Sequence, residues 1–71
     1  MPDFPGRDPS IRRALRNLVE ACNLLAEPED RDEMLYCGRY IADRIEAIGG
    51  SEEAVAWINL LVEWVRHEAK R

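Results

Sequence analysis

A chain of 71 residues and 8.2 kDa has room for one small domain, which buries only about 60% of the surface its unfolded form exposes. That length excludes two-lobed clefts and dinucleotide-binding folds. With 46% hydrophobic and 34% charged residues the composition is that of an ordinary globular protein. No apolar run is long enough to cross a bilayer, and a net charge of −4 opposes direct nucleic-acid binding, which rests on basic surfaces.

Residues 1–8, punctuated by Pro2, Pro5 and Gly6, read as an extended, flexible leader to a single helical domain over 9–71. Met1-Pro2-Asp3-Phe4-Pro5 has neither the basic start nor the apolar stretch of a signal peptide, so a cytoplasmic location is expected.

Asp8-Pro9 reads as a helix start, because Asp accepts from the orphan N–H groups of a first turn and Pro at the first helical position has no N–H to lose. Ile11, Leu15, Leu18, Cys22 and Leu25 then recur at helical spacing, widened by Ala14, Val19 and Ala21. Pro28 disfavours helical geometry at Glu27, which predicts a first helix over about 9–26.

A second helix is predicted over about 31–48, with Asp30 and Glu33 placed as a capping box and with acids in the first turn that favour the helix dipole. Its seam is Met34, Gly38, Ile41, Ile45 and Ile48, flanked by Leu35, Cys37 and Ala42. Gly49-Gly50 stops it. Ser51 is then expected to cap a third helix over about 52–69, with Glu52 and Glu53 in its first turn. No period-2 run of β-branched residues occurs, and short connections make consecutive helices antiparallel. The expected fold is all-α, a small antiparallel three-helix bundle.

The third helix carries more apolar surface than one core needs. Between Ala54 and Val65 only Asn59 and Glu63 are polar. One seam is Val55, Ile58, Val62 and Val65, and a second is Trp57, Leu60 and Trp64 continuing to His67, with Leu61 between them. A helix on the outside of a bundle needs one stripe. The second either roofs the small core or meets another chain. The latter is favoured, and a second copy comes first because two-fold homodimers are the commonest assembly. Tyr36 and Tyr40, one turn apart beside Arg39 and Arg44, form a smaller aromatic feature of a composition found in interface hot spots.

Little material for catalysis is present: two Ser, no Thr, no Gln and a single His. Cys22 and Cys37 read as reduced thiols of the core. A bridge between them would stabilise by about 3 kcal/mol in the chain-entropy model, but helix spacing is wide for it. Two thiols and one His67 make a poor metal signature, so no metal or cofactor is expected. Glu27 to Glu33 lack the ligand alternation of a calcium loop. Glu29, Asp30, Asp32 and Glu33 read as acids of a solvated turn, or as a docking point for a basic partner. Arg12, Arg13 and Arg16 could contact phosphate or an acidic protein, but they are placed at the end of the bundle that holds Glu52 and Glu53, so pairing within the chain is expected.

The leading expectation is a non-enzymatic protein-interaction module — an adaptor, accessory subunit or small regulator — that acts through Trp57, Leu60, Leu61 and Trp64, with Tyr36 and Tyr40 second. Its partner is itself or a larger complex, not a membrane. The alternative is a small acidic inhibitor, of a kind carried by mobile genetic elements, that blocks a basic nucleic-acid site of a host protein. Third is nucleic-acid binding through Arg7, Arg12, Arg13 and Arg16.

Overall fold

The computed structural model describes residues 8–70, so the leader lies, apart from Asp8, outside the described residues. Three helices follow in order: α1 (Pro9–Cys22), α2 (Pro28–Gly49) and α3 (Ser51–Ala69). No strand occurs among the described residues. The result is the small all-α three-helix bundle that periodicity predicts. The starts of α1 and α3 share a cleft lined by Asp8, Ser10, Ser51, Glu52 and Val55. The start of α2 meets the end of α3 around Met34 and Trp64. The course is therefore up, down, up.

The helix ends follow from local chemistry, and several differ from expectation. Asp8 Oδ1 accepts the Ser10 N–H at 2.8 Å and the Asp8 carbonyl accepts from Arg12, with Pro9 at the first helical position, as Asp8-Pro9 implies. α1 stops at Cys22, four residues short of the expected end. The Leu24 and Leu25 N–H groups fold back onto Ala21 and Cys22 carbonyls at 3.0 Å, the tight i to i−3 pattern of a closing turn. α2 begins at Pro28, earlier than expected. Pro28 does not merely end one helix: it pushes Glu27 to φ −94°, ψ 125°, the extended geometry of a cap residue, and supplies the first position of the next. The Asp30–Glu33 capping box is therefore absent, because both residues already lie inside the helix. Glu27 makes no side-chain cap, and Glu29 and Asp30 serve the first turn through the dipole alone.

Gly50 ends α2 and caps α3 at once. It sits at φ +90°, ψ 176°, a region only glycine occupies without strain. Its N–H donates to the Glu46 carbonyl at 3.0 Å and its carbonyl accepts the Ala54 N–H at 3.1 Å. Ser51 is consequently the first residue of α3 rather than its cap, and its hydroxyl donates to Glu46 Oε2 at 3.5 Å.

The core consists of Ile11, Ala14, Leu15, Leu18, Ala21 and Cys22 from α1, Ala42 from α2, and Ala54, Ile58, Val62 and Val65 from α3. α3 touches both other helices more than they touch each other. α2 approaches α1 through its small face: a Cβ on Gly38 would collide with Leu18 Cδ2 and lie 3.5 Å from Leu15 Cδ2. Of the seam read for α2, only Gly38 is fully buried, and Met34, Ile41 and Ile45 are half-buried. Ile48 was expected inside and is 83% exposed, because the row Met34, Ile41 and Ile48 drifts about 20° per seven residues away from Gly38 and Ala42, the fully buried residues of α2.

Candidate functional site

The two seams of α3 separate cleanly. Ala54, Ile58, Val62 and Val65 turn inward, with Val55 half-buried beside them, while Trp57, Leu60 and Trp64 remain 48%, 62% and 52% exposed. Leu61 is half-buried and joins the two. The tryptophans thus do not roof the core completely. Half of two such rings leaves roughly 200 Å² of aromatic surface in solvent.

α2 extends this surface. Trp64 shares a cleft of about 280 Å³ with Met34, Leu25, Asp30, Glu33 and Glu68, so the flank of α2 that carries Met34 borders the stripe. Met34, Ile41 and Ile48 recur every seven residues and form one row on that flank. Ile48 and Met34 are the functional candidates that sequence reasoning assigned to the core. The seven-residue spacing was visible, but spacing alone does not say which side of a seam the neighbouring helices cover.

The same cleft brings two separately predicted features together. Asp30 and Glu33 of the acidic turn stand beside Trp64, with Glu68 across from them, whereas Glu29 and Asp32 are exposed and do not line it. One end of the apolar face is therefore acidic. Tyr36 and Tyr40, 70% and 54% exposed, lie by helical spacing on the part of α2 turned away from the buried Gly38 and Ala42, and neither lines the cleft that holds Trp64. The Arg44 guanidinium stands 5.9 Å from the Tyr40 ring centroid, a cation–π contact that holds this arginine along the outer edge of α2.

Arg13 is exposed on the opposite side of the bundle, beside a shallow polar cleft with Ser10, Asn17 and Asn59. Arg12 is half-buried and Arg16 exposed. Among the described residues neither Arg12 nor Arg13 pairs with Glu52 or Glu53, contrary to expectation. The α1 and α3 starts are separated there by the cleft around Ser10 and Ser51. Glu63 meets Arg66 at 3.7 Å, and His67 is exposed.

Cys22 and Cys37 are both free thiols. Cys22 is a core residue, and burial pushes its pKa above the usual thiol value. Cys37 is only half-buried, not the core residue expected, because its position on α2 points beyond the row that meets α3. Among the described residues no group of three or more His, Cys, Asp or Glu could hold a metal ion, and no helix is long and apolar enough to cross a membrane. No protein-family model, curated protein or solved structure matches this chain.

Proposed function

We propose that the chain is a non-enzymatic protein-interaction module that binds through the aromatic stripe of α3 and the adjoining flank of α2, with a second copy of itself as first partner. One observation carries the reading: α3 completes its core with Ala54, Ile58, Val62 and Val65 and still holds Trp57, Leu60 and Trp64 half out in solvent. Surface of this kind, contiguous and aromatic with an acidic margin, is uncommon on a monomer without a partner and matches the composition of interface centres.

Trp64→Ala tests it. Trp64 supports little of the core, so the variant keeps its helix content and its cooperative unfolding while self-association weakens by about 30-fold or more, the scale of a hot-spot residue at about 2 kcal/mol. Sedimentation of wild type and variant reads both. Association that survives Trp64→Ala and Trp57→Ala together would overturn the assignment of the stripe.

A further inference from the structure

We infer that the partner on this face is a second copy packed antiparallel, with the two-fold axis crossing α3 at Leu60-Leu61; this rests on the protein-interaction reading above. Three independent features point to it. The stripe is a palindrome: Trp57-x-x-Leu60-Leu61-x-x-Trp64 reads the same in both directions. A two-fold interface is self-complementary. Antiparallel pairing sets Trp57 against the partner's Trp64 and Leu60 against the partner's Leu61, and it leaves no large side chain of the stripe facing a small one.

Charge selects the orientation. The face is acidic at the end where Asp30, Glu33 and Glu68 surround Trp64. At the other end the exposed carboxylate in line with the stripe is Glu53, one turn before Trp57. Parallel pairing would bring Asp30 and Glu33 of one copy towards those of the other, and like charges across an interface are unfavourable. Antiparallel pairing moves the two pairs to opposite ends of the interface.

The area is of the order that a specific interface needs. α2 and α3 lie side by side, and the shorter of the two, with 19 residues, is about 28 Å long. Two helices across make a face about 20 Å wide. Its projection is roughly 560 Å², and the accessible area of a rugged face exceeds its projection, approaching the ~800 Å² that each partner buries in a standard interface. Ile48, unexplained as a core residue, falls inside this footprint.

Spin labels read the register directly. Cys37→Ser removes the accessible thiol, and single cysteines are placed at the exposed positions Asn59 and Glu52 in turn. About the proposed axis the two Glu52→Cys labels lie about 25 Å apart along the helices and the two Asn59→Cys labels about 5 Å, across an axis spacing of about 8–10 Å. The pulsed electron-resonance distance should therefore be clearly longer at 52 than at 59. A dimer with equal distances at both positions would overturn the antiparallel register and leave the functional reading standing. A chain that stays monomeric throughout would overturn both.

Discussion

Gly50 is the residue with the least freedom to change. Among the described residues it alone has a positive φ, and no atom stands within 4 Å of where its Cβ would lie. The cost of Gly50→Ala is then backbone strain, about 1–3 kcal/mol, without any steric clash. Gly49→Ala meets only the Glu53 side chain, which is exposed and can turn away, and it gains helix propensity. Urea unfolding should show Gly50→Ala clearly destabilised and Gly49→Ala nearly neutral; equal losses would contradict this reading of the junction.

The two thiols provide a second residue-scale test. Cys37 should react with a thiol reagent in the folded protein, and Cys22 only as the chain unfolds. Because burial raises the Cys22 pKa, the native state keeps that proton to higher pH than the unfolded state. The resulting stability is present below the unfolded thiol pKa and is lost as pH rises through the folded value. The unfolding midpoint should fall at alkaline pH more steeply in wild type than in Cys22→Ala, and identical slopes would contradict it.

At the scale of elements, α2 is the helix whose packing rests on absence of side chain. Its close approach to α1 depends on Gly38, where a methyl group would strike the side chain of Leu18, itself fully buried. Gly38→Ala gains about 1 kcal/mol of helix propensity but overpacks the core at a cost of about 1–3 kcal/mol. A net fall in melting temperature is expected, and a rise would show that Leu18 can yield. The helices themselves were legible in the sequence: apolar residues at three- and four-residue spacing, Asp8-Pro9 at one start and the glycine pair at one end are local signals. What was not legible depended on neighbours. Pro28 disfavours helix before it and favours helix after it, so it marked the boundary without saying that α2 begins there. Ile48 keeps the spacing of a core seam yet lies outside, because Gly38 and Ala42 face the centre of the bundle and a seven-residue row drifts away from them along the helix. The second stripe of α3 was visible by period, and the choice between roofing the core and facing outward was not, since period gives a direction around one helix and says nothing of what stands there.

At the scale of the molecule, a bundle of this size with Trp57, Leu60, Trp64 and Ile48 all about half exposed or more holds apolar surface that the described residues leave in solvent. In the proposed dimer the acidic margin at Asp30 and Glu33 acts through rate and orientation of approach more than through affinity. Self-association should therefore persist at high salt, where surface ion pairs are screened and apolar burial is not. The most direct measurement is the mass by light scattering on a sizing column across a roughly hundredfold range of concentration. A mass of twice 8.2 kDa at the high end, falling towards the single-chain value on dilution and in Trp64→Ala, is the predicted result. A mass of 8.2 kDa at every concentration would contradict it.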